Sequence, residues 1–348
     1  MTVGATLKVA CVGAGYFSQY HYGSWARMDR VVLVGSCDRD LEKAKATGLS
    51  AYSDLKQMLA EQSPDLLDVI LPPVAHAEAI RAALSAGINW IICQKPFCRD
   101  VNEARQITQE AEAAGASVIV HENFRFQPWY RTIKQALDRG DVGKVHQVTF
   151  RLRPGDGQGR DAYLDRQPYF QRMERFLVHE TAVHWIDTFR FLLGNPLSVY
   201  ADLRRINPVI AGEDAGFILF EHPGGVRALF DGNRHLDHDA ENLRCTMGEA
   251  LIEGTKGTIR LHGDGAVRLR LFGASDTMVL LPAGTGDGFG GDCVHALQSH
   301  VIAGILDGAN LENIAKDYLI VEEIEAAIYE SAEHGHKQVL QESDRKCQ

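Results

Sequence analysis

Lys8-Val9-Ala10-Cys11-Val12-Gly13-Ala14-Gly15-Tyr16-Phe17-Ser18 is the stretch that decides the fold. A mostly apolar run reads as a strand, and two glycines follow it directly before the start of a helix, the context in which a G-x-G-x-x-G pattern carries meaning. There Gly13 permits a tight turn, and Gly15 lets the backbone approach a pyrophosphate at the helix N-terminus. The sixth position is Ser18, a side chain small enough to keep the helix close to the strand. The next strand, read over 31–37, ends in Cys37-Asp38-Arg39, about 20 residues beyond Gly15, where a carboxylate accepts hydrogen bonds from an adenosine ribose. A carboxylate at Asp38 repels a 2′-phosphate, so the sequence favours NAD, and Arg39 leaves NADP as the alternative.

Outward from this turn, strand candidates at 8–12, 31–37, 67–71, 90–93 and 117–121 alternate with helix-period stretches. One helix is expected to start from Ser53 as its N-cap, and another, over 76–86, to stop at Gly87. This alternation predicts a doubly wound parallel sheet, an α/β domain over 1–124. Beyond Asn123 the rhythm changes. A helix at 128–139 and a strand at 146–153 precede a polar loop and a long amphipathic helix over 177–193. Short, Gly-bounded strands follow at 198–205, 217–221, 226–232, 249–253, 258–261, 267–272 and 277–281, and a helix over 314–332 closes the chain. Residues 125–348 are therefore expected to form a second, α+β domain with a large, mostly antiparallel open sheet, ending in a frayed tail at 342–348.

A chain of 348 residues is long enough for two cores. Its 36 basic and 46 acidic residues leave a net charge of -10, without the basic face that nucleic acid requires. Seven cysteines form no C-x-x-C pair and are odd in number, which excludes a zinc knuckle and a disulfide framework and suits a reducing cytoplasm. Residues 1–8 lack a basic region followed by an apolar one, and no apolar run approaches the ~18 residues that cross a bilayer. A cytoplasmic chain with no membrane partner is the expectation.

Cys93-Gln94-Lys95-Pro96-Phe97 puts a lysine at the carboxyl end of a strand, the edge where doubly wound sheets bind ligands. Pro96 restricts the backbone at Lys95, and a lysine beside a cationic nicotinamide is placed for acid–base work. In the second domain, Glu180 and His184 are four residues apart on the long helix, so α-helical geometry sets a carboxylate and an imidazole on one face, with Asp187 and Thr188 beside them. An imidazole can accept an alcohol's proton, and a carboxylate can orient the imidazole or the alcohol. His179-Glu180 followed by His184 is one residue too long for H-E-x-x-H, so no metal is expected there. The 235–239 segment, with His235 and His238, reads as a polar loop between strands.

Taken together, these residues resemble the Gfo/Idh/MocA family, named for glucose-fructose oxidoreductase, inositol dehydrogenase and a rhizopine-catabolism protein. The likeness spans nearly the whole chain. Its carriers are Gly13-Ala14-Gly15 with His21, Leu71-Pro72-Pro73-Val74-Ala75-His76, Gln94-Lys95-Pro96, Asn123-Phe124-Arg125-Phe126-Gln127-Pro128, and the Glu180-to-His184 segment ending in Arg190-Phe191-Leu192-Leu193-Gly194. The resemblance implies a Rossmann domain binding NAD(P) and a second domain whose open sheet faces solvent or another subunit; an exposed sheet face there would favour a homodimer or homotetramer. It implies that Lys95, Glu180 and His184 line the substrate site, Lys95 holding the reacting hydroxyl and His184 taking its proton. Gly13, Gly15, Tyr16, Phe17, Asp38, Arg39, Pro72, Pro73, His76, Gln94, Lys95 and Asn123 would bind the cofactor. Two positions depart from the family pattern. Gln94 stands for the usual glutamate, which changes the electrostatics at Lys95 and loosens its hold. Glu180 stands for a shorter aspartate, which reshapes the pocket.

Further substrate contacts are expected from Arg125, from Arg153 and Asp156, from Arg172 or Arg175, and from His295. The glycine-rich 284–291 segment reads as a lid or a linker. The implied activity is dehydrogenation of a carbinol in a small sugar or polyol: an aldose, a branched pentose or an inositol-like ring. The alternatives are an isomerase or glycosidase that recycles NAD, and a nucleotide-binding regulator without catalysis.

Overall fold

The computed structural model describes residues 6–284 and 288–340, so the expected tail at 342–348 and part of the 284–291 segment lie outside it. Six short runs in the first third, most of them buried on both faces, pair in parallel, the arrangement such runs favour. They are β1 (Leu7–Val12), β2 (Val31–Cys37), β3 (Ala51–Tyr52), β4 (Leu66–Val69), β5 (Trp90–Gln94) and β6 (Ser117–His121). Helices α1 (Ser18–Trp25), α2 (Leu41–Ala46), α3 (Leu55–Gln62), α4 (His76–Ser85) and α5 (Val101–Ala113) lie between them. The sheet order is β3-β2-β1-β4-β5-β6, which changes direction between β1 and β4, where open α/β sheets place their ligands. All five expected strands are present. β3 is two residues long, too short to give a periodic signal. The cap of α3 is Asp54 rather than Ser53, because the Asp54 carboxylate accepts the Gln57 N–H.

In the second unit, α6 (Pro128–Asp138) and α7 (Val183–Leu193) accompany a nine-stranded sheet. Its strands are β7 (Val145–Leu152), β8 (Ser198–Arg204), β9 (Ala215–Glu221), β10 (Arg227–Asn233), β11 (Gly248–Gly254), β12 (Gly257–Leu261), β13 (Val267–Leu271), β14 (Met278–Leu281) and β15 (Gln338–Val339). The order is β14-β13-β12-β11-β7-β10-β9-β8-β15, and neighbours run antiparallel except β7 and β10. Period-two alternation turns Ile218 and Phe220 inward and leaves Phe217 and Leu219 exposed. Trp185 of α7 stacks on Phe150 of β7 at 4.2 Å between centroids and donates its indole N–H to the Tyr130 hydroxyl at 2.9 Å. A buried indole with a satisfied N–H fixes the rotation of α7 on the sheet.

Two further helices, α8 (Cys293–Asp307) and α9 (Ala315–His334), lie between β14 and β15. Among the described residues, those from 6 to 123 group with 294–322, and those between 124 and 293 group with 323–340. A single boundary after 124 assigns 294–322 to the second domain, whereas this segment returns to the first unit. The reason is its apolar and polar content. Val294, Leu297 and Val301 of α8 are buried, and Gln298 reaches the Asp68 carboxylate of β4 at 3.3 Å.

Candidate active site

The glycine turn is built for a close backbone approach. Gly13 sits at φ +105°, and a Cβ there would meet the Ile70 carbonyl oxygen at 2.1 Å, so no side chain fits. At Gly15 a Cβ would find nothing within 4 Å, which leaves exposed backbone at the head of α1. That helix has no side-chain cap and no acidic residue in its first turn, so its N-terminal amides suit an anion. Ser18 is buried, and its hydroxyl donates to the Gly15 carbonyl at 2.6 Å, tying the turn to the helix. Asp38, half-buried at the end of β2, accepts the Ala14 N–H at 2.8 Å and the Asp40 N–H at 2.9 Å. The carboxylate thus braces the turn and keeps further lone pairs for a ribose hydroxyl. Tyr16 and Arg39 are exposed, and Phe17 is half-buried as the residue before α1. These features fit a dinucleotide. Asp38→Ala should weaken NAD binding and shift relative preference toward NADP, measured by titrating each nucleotide; an unchanged preference would remove Asp38 from the role of ribose reader.

Lys95 follows β5 directly, half-buried, and its peptide bond to Pro96 is cis. Two devices hold this loop. The Lys95 N–H donates to Gln94 Oε1 at 3.2 Å, and the Phe97 N–H donates to Glu322 Oε1 at 3.3 Å. His76, expected to line a cofactor pocket, is fully buried. Its Nδ1 lies 3.0 Å from the Phe97 carbonyl and its Nε2 2.7 Å from the Leu71 carbonyl, so the ring joins the loops after β4 and β5. Desolvation lowers the His76 pKa, only partly offset by these carbonyls. Pro72 is exposed, Pro73 is half-buried at the start of a short 3-10 turn, and Asn123 is buried just past β6.

In the second unit, residues Leu177–Ala182 are π-helical and α7 begins only at Val183, so the α-helical spacing assumed for Glu180 and His184 does not hold. Wide π turns occur at functional sites because they re-aim side chains. Here the turn is pinned from several sides. Glu213 Oε1 accepts the N–H groups of Phe176 and Val178 and the Tyr329 hydroxyl. His179 Nδ1 pairs with Glu325 Oε1 at 2.7 Å, and Arg234 Nη1 donates to Thr181 Oγ1 at 2.6 Å. His184, at the head of α7, stacks on Phe124 with centroids 3.7 Å apart and planes 4° apart, which sets the direction of its ring. Glu180 is half-buried, and its neighbours were not singled out by the sequence. Desolvation and then the Glu180 carboxylate push the Tyr169 hydroxyl up to about 12. The buried Arg234 guanidinium also feels Glu180.

Most residues expected to touch substrate are engaged within the chain. Arg125 donates through Nε and Nη2 to both oxygens of the fully buried Asp187, at 2.7 and 2.6 Å. Arg153, also buried, pairs with Asp231. Asp156 is clasped by Arg166 and Arg234. Arg172 is exposed, Arg175 lies over the Tyr329 ring, and His295, on α8 in the first unit, is 3.2 Å from Ser24 Oγ. His235 pairs with Asp214, and His238 bonds the Arg153 carbonyl. Among the described residues no cluster of three or more His, Cys, Asp or Glu could hold a metal ion, and no helix is long and apolar enough to cross a membrane.

Comparison with known proteins identifies the family. Residues 7–122 match the oxidoreductase family with an NAD-binding Rossmann fold, GFO_IDH_MocA, and residues 130–260 match a C-terminal domain of the same family. The chain is 31% identical to the D-apiose dehydrogenase of Paraburkholderia graminis over 341 residues, which covers 94% of this chain and 88% of that one. It is 29% identical to the D-apiose dehydrogenase of Rhizobium rhizogenes, over 94% of this chain and 96% of that one. A crystal structure of an oxidoreductase from Agrobacterium radiobacter, in complex with NAD+, L-tartaric acid and magnesium, superposes with a TM-score of 0.87 at 27% identity, covering 96% of this chain and 98% of that one. The chain therefore belongs to the Gfo/Idh/MocA family of oxidoreductases, and its first domain is an NAD-binding Rossmann fold.

Proposed function

We propose that this protein oxidises a carbinol of a small sugar or polyol, with a branched pentose as the foremost candidate. The likeness to D-apiose dehydrogenases along nearly the whole chain carries this reading. NAD, held at the glycine turn, would supply the hydride acceptor for this chemistry. Lys95 holds the reacting hydroxyl by donating to its oxygen, and Glu180 orients it. His184 accepts the hydroxyl proton as the carbon loses its hydride, so a C–H and an O–H bond break while a carbonyl forms. Phe124 under the His184 ring keeps the imidazole in a fixed attitude for that transfer. Gly13, Gly15, Asp38, Pro72 and Pro73 hold the dinucleotide.

The exposed Tyr200, Phe217 and Leu219 on β8 and β9 favour association of the open sheet with a second copy, giving a homodimer or homotetramer in the cytoplasm. The test is a panel of aldoses, D-apiose and inositols offered with NAD and NADP and followed at the NADH absorbance band. A branched pentose should give one NADH per sugar oxidised, with NAD preferred. A panel without any NADH would overturn the reading, and sugar conversion without NADH would point to internal recycling of NAD.

A further inference from the structure

Behind Lys95 lies a polar network sealed from water. Asp68 on β4, His21 on α1, His121 at the end of β6 and Gln298 on α8 are all fully buried, and Gln94 is nearly so. Gln94 Oε1 accepts the Lys95 N–H at 3.2 Å. Its Nε2 lies 2.6 Å from His21 Nε2 and 3.2 Å from His121 Nδ1. A carboxamide nitrogen has no lone pair to offer, so both imidazole nitrogens facing it must be acceptors. His21 then carries its proton on Nδ1 and donates it to Asp68 Oδ2, 2.7 Å away. The same oxygen accepts the Trp25 indole N–H at 2.7 Å and the Gln298 amide at 3.3 Å. Turning the Gln94 amide over would set its NH2 against the Lys95 N–H, donor facing donor. The chain of bonds therefore has one direction, from Asp68 through His21 and Gln94 to the Lys95 peptide.

We propose that Gln94 is a positioning residue for Lys95: the Asp68–His21 pair orients the Gln94 amide, and the amide fixes the peptide from which the lysine side chain departs. This rests on the reading of Lys95 as the group that holds the reacting hydroxyl. An ionised glutamate at 94 has no donor, so to keep the link His21 must then carry a proton on each ring nitrogen, one for Asp68 and one for the new carboxylate. A methionine fills similar space and makes none of these bonds.

The experiment uses the full chain, wild type against Gln94→Met, Gln94→Glu and Lys95→Ala, with D-apiose and NAD as the probe reaction. Steady-state kcat and KM, NAD affinity, thermal melting and the 15N histidine NMR spectrum are read for each. Wild-type His21 should be protonated on Nδ1 alone. Gln94→Met should lose about tenfold or more in kcat, with the KM for sugar within about threefold. Gln94→Glu should recover kcat to within about tenfold of wild type while His21 becomes doubly protonated. Wild-type His21 protonated on Nε2, or a folded Gln94→Met with wild-type kcat, overturns the proposal. Should Gln94→Met not fold, an inactive Gln94→Glu with singly protonated His21 overturns it instead. Wild-type kcat in Lys95→Ala removes the reading of Lys95 and this proposal together, whereas an inactive Lys95→Ala beside a fully active Gln94→Met removes only the latter.

Discussion

Lys95→Ala and His184→Ala should each lower kcat about a hundredfold or more while still binding NAD. The reason lies in where each side chain starts. Lys95 leaves the chain at the carboxyl end of β5, held through its own N–H and through that of Phe97. The Asp38 carboxylate and the glycine turn that would hold NAD are separate from it in the sequence. On the proposed reading, removing the lysine takes away a donor to the hydroxyl oxygen without touching the bonds that shape the glycine turn. His184 lies flat on Phe124, which fixes the plane of its ring. Its loss leaves the hydroxyl proton with water as the acceptor. Steady-state rates with the sugar that turns over, set beside a nucleotide titration, check both variants. Near-normal rates in both would reject the assignment.

Asp156→Ala should destabilise the protein by about 3–5 kcal/mol, because it leaves Arg234 buried without its carboxylate partner. Arg234 donates through Nε and Nη2 to Asp156 and lies over the Phe176 ring at 4.7 Å, so it cannot retreat to water. Burial by itself would raise the Asp156 carboxyl, but Arg234 and then Arg166 outweigh it and hold the group below its ordinary value. A carboxylate depressed on folding adds stability above its unfolded pKa, about 3.9, and that contribution fades as pH falls through the lower folded value. The stability gap between wild type and Asp156→Asn should accordingly be largest near neutrality and narrow below about pH 4. Urea unfolding across pH measures it, and a gap that widens on acidification would contradict the sign.

Much of this was legible in the sequence. Gly13 and Gly15 announced the turn because a strand, two glycines and a helix admit few other arrangements, and Asp38 and Lys95 stood out as charges at strand ends. Other features were hidden for physical reasons. Helical periodicity could not reveal that 177–182 is π-helical, since the widened turn is imposed by Glu213, Arg234 and Glu325 from distant segments. The same distance hid the partners of Arg125, Arg153 and Asp156, whose charges suggested substrate contact but are met inside the fold. Asp68 did leave a signal. A carboxylate within Leu66-Leu67-Asp68-Val69-Ile70 is out of place in a buried strand unless something there must be held, and His21 is what it holds.

The most direct test follows the hydrogen itself. With a branched pentose deuterated at the carbinol carbon, the account predicts one deuterium at C4 of each NADH released, together with a slowed chemical step in single turnover. Oxidised sugar whose deuterium is found in water rather than in the reduced nucleotide would contradict hydride transfer to NAD.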